Sequence, residues 1–396
     1  VGGCLISDNL TWGTLCYANM VRPPDPLVVG EDWRSLWEQR LNEAPVPILN
    51  WLSHQARDDY WAHGSVCENY DAIQCPVYAV GGWADSYTNA IARLMQGLNV
   101  PKKALVGPWG HAYPHLASPG PRIGFLQEAL RWWDRWLKEE ANGIDKEPTY
   151  TYWLQDSVRP RTAYAERSGR WQQSSEWPPE SSTDLSYHLD GTGLADQPTE
   201  QARLIVDSPC DTGVHMGEWM PLGVGAEMPG DQRLEDAGGV VFESTPLRAD
   251  VCIAGAPQVV LNLSATQPVA QVSVKLSEVH PDGAVTRITY GVLNLTHRDS
   301  HRDPAELVPA KQYSVQIPLY DIAYQVPAGH RFRLTVASAQ WPLIWPTPQP
   351  VVLSLDTENS TVHLPIHTPT DGSHPFSSPE IAAPIEVDWL REVNHH

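Results

Sequence analysis

The stretch from residue 75 to residue 111 constrains the fold more than any other part of the sequence. It contains two short apolar runs, at 77–80 and 104–106, and glycine follows each run within the next few residues. Runs of this kind are typical of strands buried on both faces of a parallel sheet. The residues between them keep a helical spacing, and a parallel pair of strands needs such a crossover. The stretch therefore predicts a unit of strand, helix and strand.

A carboxylate and an imidazole follow these two predicted strands. Asp85 comes just past the first strand, and His111 comes just past the second. Open α/β sheets bind ligands beyond the carboxyl ends of their strands, so the two side chains can meet in one crevice. There, an aspartate would fix the tautomer of the imidazole and leave its other nitrogen to accept a proton from a hydroxyl nucleophile. The simpler alternative is that Asp85 only caps the helix that begins near Ser86.

Two motifs around these residues resemble a known family. Gly-Gly-Trp-Ala-Asp-Ser-Tyr (81–87) and Gly-Pro-Trp-Gly-His (107–111) are similar to the acid and base motifs of the CocE/NonD serine hydrolases. These enzymes are relatives of cocaine esterase, α-amino-acid ester hydrolases and X-Pro dipeptidyl-peptidases. The resemblance implies that Asp85 is the acid and His111 the base of a triad that cleaves small-molecule esters, amides or peptides. We expect the adjoining Trp83 and Trp109 to form walls of the site.

The family's nucleophile motif is not present in this sequence. The catalytic serine of such enzymes lies in a G-x-S-x-G turn that precedes the acid, and the chain contains no G-x-S-x-G. We therefore expect this chain to be the carboxyl-terminal part of a hydrolase, to begin after the catalytic serine, and to be inactive alone. The alternative from another class is a non-catalytic binding or assembly protein, in which a β-sandwich recognises carbohydrate or another protein.

Three segments with different patterns follow one another along the chain. Residues 1–74 are rich in tryptophan and predict a helical cap over the site, which the resemblance also implies. Residues 75–145 predict the carboxyl-terminal part of an α/β-hydrolase core. Residues 146–396 contain short strands without helices, which favour an all-β jelly-roll sandwich. The predicted fold class is thus a partial α/β-hydrolase, consisting of the cap and the last strands and helices, followed by a jelly roll.

Several apolar segments outside the two motifs carry further expectations. A helix over 125–140 should pack on the sheet through an apolar stripe, which consists of Leu126, Leu130, Trp133 and Leu137 and is widened by Trp132 and Trp136. A Gly- and Pro-containing excursion at 207–245 is expected to pack back onto the α/β core. The run Trp-Pro-Leu-Ile-Trp-Pro at 341–346 predicts either a docking contact or a ligand-stacking surface. Five cap aromatics are candidates either to line an acyl or leaving-group pocket or simply to pack the cap: Trp12, Tyr17, Trp51, Tyr60 and Trp61.

The composition argues against several classes of partner. Lys and Arg number 27 against 47 Asp and Glu, and the net charge of −20 disfavours binding to nucleic acid or to an anionic membrane. The six cysteines form no C-x-x-C, and we find no clustered His, Asp and Glu ligands, so we expect neither a metal nor a cofactor. No apolar run approaches the roughly 18 residues of a membrane span. The sequence leaves the compartment and self-association into a homo-oligomer open.

Overall fold

The computed structural model describes residues 1–180, 182–198, 200–222, 227–371 and 376–381. The α-helices in these ranges are α1 Asp8–Met20, α2 Pro26–Val29, α3 Trp33–Glu43, α4 Pro47–Ser53, α5 Asp59–His63, α6 Thr88–Gly97, α7 Phe125–Leu137 and α8 Arg233–Asp236. Short 3-10 turns lie at Gly30–Asp32, Val66–Glu68, Tyr70–Ala72, Ile144–Lys146 and Leu295–His297. Among the described helices, none has both the length and the apolar character needed to span a bilayer.

The β-strands of the described ranges begin at residue 77, and most of them lie after residue 149. They are β1 Val77–Gly82, β2 Lys102–Gly107, β3 Tyr150–Gln155, β4 Gly169–Ser174, β5 Thr183–Asp190, β6 Gly193–Ala195, β7 Arg203–Val206, β8 Val240–Glu243, β9 Val251–Gly255, β10 Gln258–Ala265, β11 Gln271–Val279, β12 Val285–Asn294, β13 Tyr313–Pro318, β14 Ile322–Val326, β15 Arg331–Ala337 and β16 Leu353–Ile366.

The first two strands form the parallel unit that the sequence predicts. β1 pairs with β2 in parallel from Val77 opposite Lys102 to Gly82 opposite Gly107. Helix α6 crosses between them and buries Thr88, Ile91, Ala92 and Met95. Because the register is in step along both strands, their carboxyl ends stop at the same level. The loops that carry Asp85 and His111 therefore leave the sheet side by side.

The next strand corrects one expectation about the β-rich half. The sequence places residues 150–155, which form strand β3, in the sandwich because the helical periodicity ends before them. In the structure it pairs in parallel with β2, with Ala104 opposite Tyr150 and Val106 opposite Tyr152. β4 then pairs antiparallel with the other side of β3. The parallel sheet thus has three strands, because pairing partners rather than the local pattern decide which sheet a strand joins.

The remaining strands form two facing sheets. One contains the path β14-β9-β16-β10-β13, and the other contains β12-β11-β15-β8. Every residue of β11 is buried, which fits a strand with β12 and β15 on its two sides and packed layers on both faces. The core between the sheets consists of aliphatic and aromatic side chains with no exposed surface, among them Leu261, Val274, Leu276, Phe332 and Leu334.

One backbone pair makes the parallel sheet continuous with the sandwich. Tyr324 of β14 lies opposite Gln155 of β3 in parallel register. Through this contact the parallel sheet and the sandwich sheet that contains β14 form one twelve-stranded sheet. Asp321, just before β14, makes two hydrogen bonds at the junction. Its backbone N–H donates to the side-chain oxygen of Asn89 on α6, and its carboxylate accepts the indole N–H of Trp177 at 2.7 Å.

Helix α7 buries a different face from the one that the sequence predicts. Its buried residues are Glu128 and Trp132. The Glu128 carboxylate accepts hydrogen bonds from the Tyr78 hydroxyl of β1 and from Arg131, and Trp132 contacts the Tyr78 ring. Of the predicted stripe, Trp132 is buried. The assignment of the other four residues to the sheet is wrong, because they point to solvent, with exposed fractions of 60% for Leu126, 52% for Leu130, 55% for Trp133 and 78% for Leu137.

Candidate active site

Asp85 and His111 meet beyond the ends of β1 and β2. The His111 Nδ1 lies 2.9 Å from the Asp85 Oδ2, which is hydrogen-bonding distance. The aspartate side chain is 13% exposed, whereas the histidine side chain is 40% exposed. The carboxylate is thus held inside the loop while the imidazole faces outward. This is the arrangement in which a carboxylate orients a ring whose other nitrogen is free to act.

The two roles considered for Asp85 are filled by its two different oxygens. Oδ1 accepts the backbone N–H of Tyr87 at 3.0 Å and the hydroxyl of Ser86 at 3.2 Å, at the point where α6 begins. Oδ2 is left for His111. The capping role and the imidazole-orienting role are therefore compatible, because each uses one side of the carboxylate.

The backbone of His111 is anchored by the long excursion that the sequence predicts would return to the α/β core. The His111 N–H donates to the Pro221 carbonyl at 2.8 Å, and His111 forms an isolated parallel bridge with Leu222. The preceding Gly110 N–H donates to the Ser118 carbonyl. The excursion thus packs on the core as expected, and it fixes the loop that carries the imidazole.

The exposed side of the imidazole is bordered by aromatic rings. Tyr87 meets the His111 ring edge-on at 5.6 Å between centroids, and Trp219 of the excursion meets Tyr87 in the same way at 6.3 Å. Partial burial raises the pKa of Tyr87, and the nearby carboxylates of Asp8 and Asp85 add to this increase. Within the described residues, no hydrogen bond occupies the Nε2 of His111. That nitrogen is available to an incoming hydroxyl group.

Trp83 and Trp109 turn out to have different roles. Trp83 is partly buried, donates its indole N–H to the Trp153 carbonyl, and lines a cleft beside the site. Trp109 is 1% exposed, donates to the Pro121 carbonyl, and packs against Trp171. The expectation that Trp109 walls the site is wrong, because its ring is fully occupied in the core beneath the loop.

The buried Trp109 explains the glycines that precede both site residues. A Cβ on Gly82 would lie 2.1 Å from the Trp109 carbonyl oxygen, and a Cβ on Gly107 would lie 2.4 Å from its indole ring. Neither glycine adopts a positive φ. Their requirement is space for the tryptophan rather than freedom of the backbone. The glycines of the Gly-Gly-Trp and Gly-Pro-Trp motifs thus leave room for Trp109, which packs beneath both loops.

The cap aromatics are not gathered around the pair. Trp61 of α5 donates to the His54 carbonyl at 2.6 Å and packs edge-on against Tyr60. Trp51 lies half-buried on α4. Trp12 is 37% exposed on α1, one turn after Asp8. Within the described residues, no hydrogen bond or ring contact joins these tryptophans to Asp85 or His111. Trp12 hydrogen-bonds Asp8, whose carboxylate acts on Tyr87 beside the pair.

The Trp-Pro run at 341–346 makes a docking contact, which is one of the two alternatives considered for it. Ile344 forms a bridge with Ile6, the Ser7 N–H donates to the Leu343 carbonyl, and the Trp345 N–H donates to the Leu5 carbonyl. The run therefore ties the sandwich to the segment that leads into α1.

A His and Glu cluster in the sandwich was not found from the sequence. The Glu278 carboxylate is fully buried and accepts the Tyr324 hydroxyl and the Ser157 hydroxyl, each at 2.6 Å, and it also contacts His330. His280 lies beside them, and the possible ligand atoms of Glu278, His280 and His330 fall within 4.8 Å of one another. A cation would have to displace the hydrogen bonds that already satisfy the carboxylate. The donor set fits a buried polar network better than a metal centre.

The fold and this pair define a class of protein. It joins a parallel α/β sheet, with an Asp–His pair beyond its carboxyl ends, to an all-β sandwich that continues the same sheet.

Comparisons with known proteins agree with that class. The family described as X-Pro dipeptidyl-peptidase (S15 family) matches residues 1–113, and the family described as the X-Pro dipeptidyl-peptidase C-terminal non-catalytic domain matches residues 142–375. A Mycobacterium tuberculosis protein provisionally named as a serine esterase is 25% identical over 362 residues, which cover 83% of this chain and 53% of that protein. Cocaine esterase from a Rhodococcus species is 22% identical over 323 residues, which cover 75% and 54%.

A solved structure shows the same fold at lower identity. A CocE/NonD family hydrolase from Staphylococcus aureus superposes with a TM-score of 0.62 at 14% identity, covering 85% of this chain and 62% of that one. The chain belongs to the CocE/NonD hydrolase family, as its motifs indicate. It spans about half the length of the curated relatives that it matches.

Proposed function

We propose that this chain supplies the acid and the base of a serine hydrolase that cleaves esters or amides through an acyl-enzyme. Asp85 is the acid and His111 is the base. The nucleophile is a serine on a polypeptide segment outside residues 1–396. The observation that carries this proposal is the Asp85–His111 hydrogen bond of 2.9 Å, with the second imidazole nitrogen free of any bond to a described residue.

The chemistry follows from this geometry. The Nε2 of His111 accepts the proton of the serine hydroxyl as its oxygen attacks the substrate carbonyl carbon, and Asp85 stabilises the imidazolium that forms. The imidazolium then protonates the departing alcohol or amine, which leaves the acyl group on the serine. In the second half of the reaction, a water molecule loses a proton to the same nitrogen as its oxygen attacks the acyl carbon. The bond between the acyl carbon and the serine oxygen then breaks, the imidazolium returns the proton to the serine oxygen, and the acid leaves.

The substrate class is supported by relatives rather than by a pocket. The matched family is described as X-Pro dipeptidyl-peptidase, and Rhodococcus cocaine esterase is another relative. Both descriptions concern hydrolysis of a carbonyl derivative. We therefore infer an X-Pro dipeptidyl-peptidase-like or acyl-ester hydrolase. Within it, β1, β2 and β3 would be the final strands of an α/β-hydrolase sheet, and the two facing sheets would be a jelly roll.

The experiment that tests the proposal is labelling of the native protein with a fluorophosphonate probe, which reacts with activated serines. We expect one adduct, located by peptide mass spectrometry on a serine outside residues 1–396. His111→Ala should abolish labelling because the serine then loses its base. Arg233→Gln is a matched control, because Arg233 is an exposed residue paired with Asp231.

Two results would contradict the proposal. One is labelling that persists at the same rate in the His111→Ala variant. The other is a folded native protein that gives no adduct while it binds carbohydrate or another protein through the sandwich. The second result would favour the non-catalytic alternative and would leave Asp85 and His111 with structural roles only.

A further inference from the structure

A cleft opens between the parallel sheet and the sandwich, next to the loops of the candidate active site. It encloses about 620 Å³, part of which is open to solvent. Trp83 and Ala84, which immediately precede Asp85, line one side of it, and Ile288 and Tyr324 of the sandwich line the other. Asp85 and His111 themselves do not line this cleft.

Arg287 of β12 brings a positive charge to the cleft wall. Its Nη1 donates to the Met216 carbonyl at 2.7 Å, and its guanidinium lies 4.8 Å from the centre of the Tyr290 ring. Burial lowers the pKa of Arg287. Within the described residues, no carboxylate forms an ion pair with this side chain. An arginine has five N–H donors, so most of its hydrogen-bonding capacity remains unused.

Arg167 brings a second positive charge to the same cleft. It is 8% exposed, its Nε donates to the Gln155 side chain at 3.1 Å, and its guanidinium lies 5.0 Å from the Tyr164 ring and 5.9 Å from the Tyr324 ring. Among the described residues it also has no carboxylate partner. Polar and aromatic contacts thus hold the guanidinium without neutralising its charge.

Both arginines lie in a chain with a net charge of −20. Among the described basic side chains that are buried, Lys103 pairs with Glu147 and Lys275 pairs with Asp236, whereas Arg167 has no carboxylate partner. Burying an unpaired charge is costly, so a cleft lined by Arg167 and the half-buried Arg287 is suited to an anion. The acidic residue that lines the cleft is Glu218, which is exposed and gives one negative charge against two positive ones.

We propose that this cleft binds a carboxylate with an apolar body, and that Arg287 and Arg167 hold the carboxylate group. A planar guanidinium matches a carboxylate through two parallel hydrogen bonds. The apolar part would lie against Trp83, Ile288 and the proline side chains of Pro108 and Pro119. This inference goes beyond the proposed hydrolysis, since such a ligand would bind whether or not the protein turns over a substrate.

The test compares benzoate with benzamide, which have nearly the same shape but differ in charge. Binding of each compound to the native protein is measured by isothermal titration calorimetry at low ionic strength. We expect benzoate to bind at least 10-fold more tightly than benzamide. Equal affinity for the two compounds, or no binding of benzoate, would overturn the proposal. Neither measurement involves turnover, so failure here leaves the proposed hydrolysis untested and intact.

Substitutions locate the binding. Arg287→Gln and Arg167→Gln should each weaken benzoate binding about 10-fold or more and leave the binding of benzamide unchanged. Arg233→Gln, outside the cleft, is the matched control and should have no effect. Near-ultraviolet circular dichroism establishes that each variant is folded. If Arg287→Gln does not fold, Arg287→Lys, which keeps the charge but loses the fork of donors, should still weaken binding. Benzoate affinity unaffected by both the Arg287 and Arg167 substitutions would refute the assignment.

Discussion

The β-sandwich and the α/β region of this protein differ in how completely they bury their own apolar surface. In the sandwich, strands such as β11 and β15 place side chains with no exposed surface between two sheets. In the α/β region, α7 turns four large apolar side chains to solvent, and β1 lies at the edge of its sheet. The difference teaches that the sandwich buries its apolar surface between its own two sheets, whereas the α/β region carries the reactive pair on a less enclosed support.

The largest effect should come from a substitution in the α/β region that removes most of the activity and leaves the melting temperature almost unchanged. In the active hydrolase, Asp85→Asn should lower kcat by about 10⁴, the loss known for the equivalent change in a well-studied triad. The melting temperature should stay within about 2 °C, because asparagine can still accept the Tyr87 N–H that Oδ1 now accepts. Steady-state kinetics and calorimetry on the same preparation check both parts. A variant with near-normal kcat would remove Asp85 from the mechanism.

The second test makes the same leucine-to-alanine substitution in the sandwich and in the α/β region. Leu334→Ala removes a side chain with no exposed surface from the sandwich core and should cost about 2–5 kcal/mol of unfolding free energy. Leu130→Ala on the exposed face of α7 should change that free energy by less than about 0.5 kcal/mol. Urea denaturation measures both. Similar losses from the two variants would show that α7 is covered in solution and would break the comparison.

The third test concerns Asp321, at the junction between the parallel sheet and the sandwich, and the expected change in melting temperature depends on pH. Burial raises the pKa of Asp321 to about 6, above its value of about 3.9 in an unfolded chain. The folded state therefore favours the protonated form, and the stability contributed by that form is lost as the pH rises through 6. Asp321→Asn should raise the melting temperature at pH 8 by a few degrees and leave it unchanged near pH 3.

A matched control for this pH effect is Asp282→Asn. Asp282 is exposed, and its hydrogen bond with Arg159 lowers its pKa to about 2, the opposite direction. The control should therefore lower the melting temperature slightly at pH 8 or leave it unchanged. Thermal scans between pH 3 and pH 8 distinguish the two variants. If Asp321→Asn is less stable than the wild type at pH 8, the carboxylate stabilises the junction in its ionised form.

The smallest effect on stability should come from the exposed stripe of α7. Replacing Trp133 and Leu137 by glutamine should reduce fluorescence of the hydrophobic dye ANS and reduce self-association, with little change in melting temperature. The corresponding control replaces the highly exposed Leu27 and Val28 of α2. Analytical ultracentrifugation measures the association. An unchanged signal in the α7 variant would mean that this stripe is not the exposed apolar surface of the α/β region.

The part of the site that is local in sequence could be predicted. The apolar runs of β1 and β2 and the residues just past them gave the positions of Asp85 and His111, because parallel pairing brings strand ends together. The sequence predicts that the excursion at 207–245 returns to the core. It does not predict that Pro221 contacts His111 or that Trp219 contacts Tyr87. No periodicity links residue 111 to residue 221, since a loop contact over that separation depends on the complete fold.

The errors share one physical cause, which is that burial depends on the partner as well as on the side chain. Trp109 was assigned to the wall of the site because it adjoins His111, but its ring points back into the core under Gly107. The α7 stripe was assigned to the sheet because it is apolar. Helix α7 instead turns Glu128 inward, where Tyr78 and Arg131 satisfy its carboxylate.

The backbone pair between Tyr324 and Gln155 lies in the wall of the cleft. Both residues line the cleft together with Arg167 and Arg287. Side chains of the parallel sheet and of the sandwich also share one apolar core at this junction, among them Tyr152 and Ala323. A ligand in the cleft would therefore contact both parts of the molecule where they are joined, so that its binding would add to the contacts between them.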